Sequence, residues 1–309
     1  MKSQSRHIKQ RLLASVFVLI GVTILVFALI RIGNGDPAAM MAGDLATPEE
    51  IEEYRVRMGL DKPLIVQYFT YMSGLFKGDL GYSYVYSMPV RDVLAKRMPQ
   101  TLMLSLTGFA WSTVFSIVFG IIAGTHQGSG VDFAAMFFAV LGQAMSTVWL
   151  GFLLILLFGV KLKLLPIQGF GGIEHLIMPG LCCGFGQAAS QTRLMRSSMV
   201  DVIHEDYITA TRARGISRQV TNMKYALRNA MLPIVTNVGF AFGKLFAGSI
   251  VVENIFNWPG MGNLMVQAIN SRDYQLVQSI LLISSIMLVF GNLLADLLYT
   301  VVDPRISLN

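Results

Sequence analysis

The chain has 309 residues, of which 54% are hydrophobic and 14% charged, with a formal net charge of +6. A soluble domain averages about 25% charged residues, so this composition, with a mean hydropathy of +0.58, excludes an ordinary soluble enzyme and indicates an all-α membrane protein. The basic balance does not indicate nucleic acid, because the charges lie where membrane topology puts them.

Lys2, Arg6, Lys9 and Arg11 precede the first apolar run, with no acidic residue among them. That asymmetry predicts a cytoplasmic N-terminus. The run Leu12–Ile30 is longer than the ~7–15 residues of a signal-peptide core and is read as a retained span. Residues 1–30 thus form a tail and the first transmembrane helix, and 31–97 an extracytoplasmic segment.

That outer segment carries folding signals. Thr47-Pro48-Glu49-Glu50 predicts a helix start, with Thr47 as N-cap, Pro48 at the first position and Glu50 closing a capping box. Gly59 suits its end. A second helix is expected over Leu64–Phe76, with aromatics at Tyr68, Phe69, Tyr71 and Phe76, before a turn at Lys77–Gly81. This segment is an outer cap that touches a delivery protein or lines an entrance, or it is a packing cap with no ligand role.

Residues 98–302 are read as a five-helix core. Its spans are expected near Leu102–Gly124, Phe133–Val160, Leu176–Ser190, Met231–Val251 and Ser279–Val302, most close to the ~20 residues a bilayer requires. The third is long enough to tilt or to begin outside the membrane. The fourth is short, and the stripe Met195, Met199, Ile203 continues it as helix into polar sequence. Six spans return residues 303–309 to the cytoplasm. Gly180, Gly184 and Ala188, and again Gly239, Gly243 and Ala247, are small residues at four-residue spacing. Such spacing lets helix backbones approach closely within a subunit or between subunits.

Ionisable groups at membrane depth are costly and by default face a cavity or a partner. Lys244 lies ~20 Å along its span and Asp296 ~9 Å from the inner end of the last one, so a direct pair is not assumed. Lys244 either lines a polar pathway or satisfies carbonyls in the bundle. Asn292, Asp296 and Tyr299 share a helical face. Cys182 and Cys183 are adjacent, lack metal-ligand spacing and are read as packing residues. The histidines are scattered, so no metal site is expected. No phosphate-binding G-x-x-x-x-G-K-[ST] loop is present, so the chain itself is expected to bind neither ATP nor another cofactor.

The most informative stretch is the polar break 191–230, with seven Lys or Arg and three Asp or Glu. Its basic excess marks it as cytoplasmic. Glu205 and Asp206 open a short helix through Tyr207 and Ala210 to Arg212, Ala213 and Arg214, an arrangement that suits the helix dipole, and Gly215 suits its C-terminal cap. A further helix is expected over Arg218–Ala230, leading to Pro233. On physics alone this is a folded cytoplasmic docking surface or a solvated connector.

DYITATRARG at 206–215, followed by YALRNAMLPIVT at 225–236, resembles the cytoplasmic coupling motif of binding-protein-dependent ABC importer permeases. The resemblance narrows to the dipeptide/oligopeptide/nickel group, through RIGNGDPA at 31–38, MGLDKPLIVQY at 58–68, GDLGYS at 78–83, MPQTLMLS at 98–105, VVENIFNWPGMG at 251–262 and DPR at 303–305. Where the wider superfamily has Glu-Ala-Ala, this chain has Thr209, Ala210 and Thr211. The resemblance implies a type I ABC importer permease fold with six transmembrane helices and cytoplasmic termini in the cell membrane. It implies a heterodimer with a second homologous permease, two ABC ATPase subunits that bind the ATP, and an extracytoplasmic substrate-binding protein. The ATPase-coupling residues it implies are Glu205, Asp206, Tyr207, Ala210, Arg212, Arg214 and Gly215, and the cargo is peptide or nickel. An ion-gradient-driven secondary transporter is the competing reading. It requires several intramembrane carboxylates and inverted repeats, whereas Asp296 is the one clear carboxylate at membrane depth and no repeat stands out.

Overall fold

The computed structural model describes residues 15–28, 37–43, 46–83, 85–235, 237–238 and 250–302, with the side chains at 37, 40–41 and 294–302 excepted. It divides into two compact units, Met1–Pro99 with Asn263–Val289 and Gln100–Gly262 with Phe290–Asn309.

In the first unit, α1 (Ser15–Ala28) is apolar. α2 (Pro37–Ala42) and α3 (Pro48–Arg57) follow, and α3 has the full capping box expected of Thr47 and Glu50. It stops where Gly59 adopts φ +67°. α4 (Leu64–Phe76) packs on α1. The Phe27 and Tyr68 rings meet edge to face at 5.3 Å, and the Thr23 and Tyr68 hydroxyls are hydrogen-bonded at 2.9 Å. Gly78 then turns the chain at φ +76°. A small antiparallel hairpin pairs β1 (Tyr82–Ser83) with β2 (Met88–Pro89), Tyr82 opposite Pro89. The turn before it is held from far along the chain. The Leu80 carbonyl accepts hydrogen bonds from Gln275 Nε2 and Ser279 Oγ, both at 3.1 Å, and Ser83 Oγ donates to Asp273.

α5 (Val90–Thr125) is 36 residues long, ~54 Å at 1.5 Å per residue, against a hydrocarbon core of ~30 Å. It therefore begins well before the expected Leu102. Val90, Val93 and Leu94 are buried on one face, and that burial offsets the ~3 kcal/mol that Pro99 costs inside a helix.

The expected third span is not one helix. α6 (Gly130–Ala144) and α7 (Thr147–Leu154), extended by the π-helical stretch Ile155–Lys161, meet at 110°. Met145 is extended and Ser146 caps the second piece, its Oγ accepting from the Val148 amide at 3.3 Å. A capping hydroxyl competes locally with the helical hydrogen-bond ladder, and apolar sequence on both sides hides the break from a hydropathy reading.

α8 (Ile173–Ile203) runs through the expected fourth span into the polar break. Met195 and Met199 are fully buried on the anticipated stripe. α5 and α8 approach closely. A β-carbon on Gly108 would stand 2.9 Å from Cys183 Cβ, and one on Gly184 would meet the Gly108 carbonyl and the Trp111 ring. The small residues Gly180 and Gly184 thus serve packing inside the subunit, helped by a 2.7 Å hydrogen bond from Trp111 Nε1 to the Gly180 carbonyl. Cys182 is buried and Cys183 half-buried. Cys182 joins Leu104, Leu150, Met178, Phe256 and Trp258 in a core cluster.

Beyond α8 come α9 (Asp206–Ala213), α10 (Arg218–Val220), a π-helical stretch Thr221–Ala226 and α11 (Leu227–Ala230). The expected Arg218–Ala230 helix is therefore continuous but widened in its middle. α12 (Ile250–Ile255), α13 (Met261–Asn270) and α14 (Tyr274–Val302) complete the chain. α14 starts five residues before the expected Ser279, beginning at the Asp273 carboxylate, which accepts from the Leu276 amide at 3.1 Å. Most of the expected fifth span, including Gly239, Gly243, Lys244 and Ala247, lies outside the described residues.

Candidate coupling surface

α9 is a two-turn helix presented by longer helices on either side. Glu205 is its N-cap residue, Asp206 sits in its first turn, Arg212 in its last, and Arg214 is its C-cap. Gly215 follows at φ +81°, a left-handed conformation that costs a β-carbon-bearing residue about 1 kcal/mol or more. Opposite charges at the two ends match the helix dipole.

Burial divides α9 into two faces. Ile208 is fully buried and Thr211 nearly so. Glu205, Asp206, Tyr207, Ala210, Arg212, Arg214 and Gly215, the residues singled out from the sequence, are all exposed. Ile208 is the anchor. It enters a cluster with Met195 and Met199 of α8, Ala226 and Ala230 from the segment after α10, and Ile234, and Ile117 and Ile121 of α5 pack against it. Burying such a side chain stabilises by about 1.5–3 kcal/mol. Ile208 was not singled out from sequence, although it is the one branched aliphatic residue in DYITATRA.

Polar ties fix the rim. Asn229 Nδ2 donates to Tyr207 Oη at 2.6 Å, Arg212 Nη2 to Asn222 Oδ1 at 3.4 Å, and Arg218 Nη2 to the Thr125 carbonyl at the end of α5 at 3.2 Å. Above the cluster, Arg196 of α8 grips Asp132 at the start of α6 through two hydrogen bonds, Nε to Oδ1 at 2.6 Å and Nη2 to Oδ2 at 2.8 Å. The Gly128 amide also donates to Asp132, at 3.0 Å. The Asp132 side chain is only 6% exposed, and such planar bidentate pairing is the strong, orienting form of an ion pair. The arrangement ties α9, α8, α6 and α5 into one block.

A second constellation joins two of the sequence motifs. Glu253 of α12 is fully buried. Thr101 Oγ1 donates to Glu253 Oε1 at 2.8 Å and accepts from the Met261 amide at 2.7 Å. Trp258 Nε1 donates to the Gln100 carbonyl at 2.9 Å. MPQTLMLS and VVENIFNWPGMG thus meet in space. The glycines of the second motif have a steric reason, because a β-carbon on Gly260 would occupy the Glu253 carboxylate. Both motifs carry the family resemblance, but nothing beside Glu253 in the sequence marks it as buried.

Of the intramembrane polar candidates, Asn292 is exposed on α14. Lys244 and the Asp296 side chain lie outside the described residues, so no pairing between them is described.

The family described as binding-protein-dependent transport system inner membrane component matches residues 116–308, and its N-terminal counterpart matches residues 4–106. The chain is 41% identical over 300 residues to the glutathione transport system permease protein GsiC of Escherichia coli K12, covering 97% of this chain and 98% of that protein. The protein of the same name from Shigella flexneri serotype 5b is 40% identical over the same shares.

Proposed function

The chain belongs to the family of binding-protein-dependent transport system inner membrane components, and from that premise we propose that it forms half of a pathway importing short peptides, with α9 as the element its ATPases move. It is a multi-pass inner-membrane protein and a permease subunit of an ABC importer. Its family transports without hydrolysing ATP itself, that reaction belonging to a partner subunit. In the proposed arrangement six spans leave both termini in the cytoplasm. A second permease completes the pathway, two ATPases bind from the cytoplasm, and a binding protein delivers cargo from outside.

The observation that carries the cargo class is the 41% identity over nearly the whole of both chains to a permease named for glutathione, a tripeptide. That supports a peptide-type cargo over nickel. The coupling role is supported by the division of α9 into an anchored face and an exposed charged face. ATP-driven closure of the ATPases pushes on Asp206, Tyr207, Ala210, Arg212 and Arg214, and the Ile208 anchor passes the displacement to α8 and α5. The drive is the different affinity of ATP for the two states of the assembly. No bond chemistry occurs in this chain.

The test is reconstitution with the cognate ATPases and binding protein in proteoliposomes. Replacing Arg212, Arg214 and Gly215 together is expected to abolish substrate-stimulated ATP hydrolysis while the complex still assembles, and unchanged stimulation would overturn the coupling role. Calorimetry on the binding protein tests cargo separately. Short peptides are expected to bind, and binding of nickel alone would overturn the peptide reading.

A further inference from the structure

α4 turns an apolar stripe outward. Its 13 residues, LIVQYFTYMSGLF, contain no charged side chain and none is fully buried. Ile65, Phe69 and Phe76 are 71%, 66% and 86% exposed, and with half-buried Met72 they follow the i, i+4, i+7, i+11 spacing of a single helical stripe. The opposite face is the polar one. Gln67, Thr70 and Gly74 line a cavity of about 200 Å³ together with Asp79, Gln275 and Gln278. Gln67 Nε2 donates back to the Leu60 and Lys62 carbonyls ahead of the helix, at 3.2 and 2.8 Å. A helix on a water-facing surface turns its apolar stripe toward the protein, whereas α4 turns Ile65, Phe69 and Phe76 outward, with Thr70 and Ser73 exposed beside them.

The remaining side of α4 touches α1. Tyr68 and Tyr71 pack on Phe27, and Tyr68 is hydrogen-bonded to Thr23. α1 is an apolar helix of a multi-pass membrane protein, so these contacts set α4 against the end of a span, on the side to which the chain emerges after residue 30. At ~20 Å α4 is too short to cross a ~30 Å hydrocarbon layer. Both of its ends are charged and exposed, Asp61 and Lys62 before it and Lys77 and Asp79 after it, so its apolar length is bounded by groups that stay in water.

We propose that α4 is an interfacial helix, lying in the outer headgroup region with Ile65, Phe69, Met72 and Phe76 in the acyl boundary. Tyr68 and Tyr71 place amphipathic rings at the level such residues favour. The occupant of the exposed stripe is therefore lipid, continuous with the lipid around α1. The role fixed for α4 is to hold the polar cavity and the hairpin behind it at a constant height above the bilayer.

The test uses the assembled transporter in proteoliposomes, with a nitroxide placed by Phe69→Cys or Phe76→Cys and a control at Thr70→Cys. Collisions with membrane-soluble oxygen and with a water-soluble nickel chelate are compared. The expected result is an oxygen-to-chelate ratio several-fold higher at 69 and 76 than at 70, independent of added binding protein. A chelate-dominated signal at 69 and 76 would overturn the proposal. So would protection that appears only when binding protein is added, because that would make the stripe a protein-docking surface.

Discussion

The α9 surface and the Glu253 hub solve opposite problems with opposite chemistry. At α9 the charged groups are outside and the anchor is apolar, with Ile208 held among methionine and alanine side chains. At the hub a carboxyl group is inside, fixed by a directional hydrogen bond from Thr101, whose hydroxyl also accepts from the Met261 amide. Apolar packing is non-directional and tolerates small rotations, which suits an element that must take a load and move with it. A buried hydrogen-bonded carboxylate tolerates almost none, since losing its partners in a low-dielectric interior is expensive. In the proposed arrangement the first region transmits displacement and the second resists it.

That contrast can be broken by mutation. Glu253→Ala removes the hub, opens a cavity and leaves the Thr101 hydroxyl proton without its acceptor. The expected loss is about 3–4 kcal/mol, read as a lower midpoint of thermal unfolding in nanodiscs. A change under ~0.5 kcal/mol would mean that the hub is not a structural clamp. Ile208→Ala is expected to cost about 2–3 kcal/mol and also to lower substrate-stimulated ATP hydrolysis, because α9 loses its seat. Full stimulation with the anchor gone would separate α9 from the transmitted motion. Arg212→Ala with Arg214→Ala is expected to leave the unfolding midpoint within ~0.5 kcal/mol of wild type while impairing stimulation. A large stability loss there would contradict the division into a structural face and a contacting face.

What could be read in advance depended on how far apart the deciding residues lie. α3, α9 and α4 are written locally: a capping box starts α3, acidic residues start α9, an uncharged run marks α4, a glycine follows each, and all three helices lie where those signals put them. The continuation of α8 was legible because Met195 and Met199 keep helical spacing. The 110° bend between α6 and α7 was not, because Ser146 caps the second piece within a run, Phe133–Val160, that is apolar enough overall to read as one span. The Glu253 hub was beyond sequence reading for another reason. Thr101 is 152 residues away, and nothing near Glu253 announces a buried partner. Likewise, Asp132 and Arg196 lie 64 residues apart and read singly as ordinary loop and helix charges. The exposed coupling face carried its own signal in charge and glycine, whereas the apolar anchor beneath it, Ile208, looked like any other aliphatic residue.

The measurement closest to the central claim is site-directed cross-linking in the assembled transporter. Ala210→Cys, on the exposed face, is expected to cross-link to an ATPase subunit in a yield that changes with ATP. Thr211→Cys, one residue on and buried, is expected to give none. Equal yields at both positions, or no cross-link from Ala210→Cys in an active complex, would contradict the account of α9 as the surface on which the ATPases act.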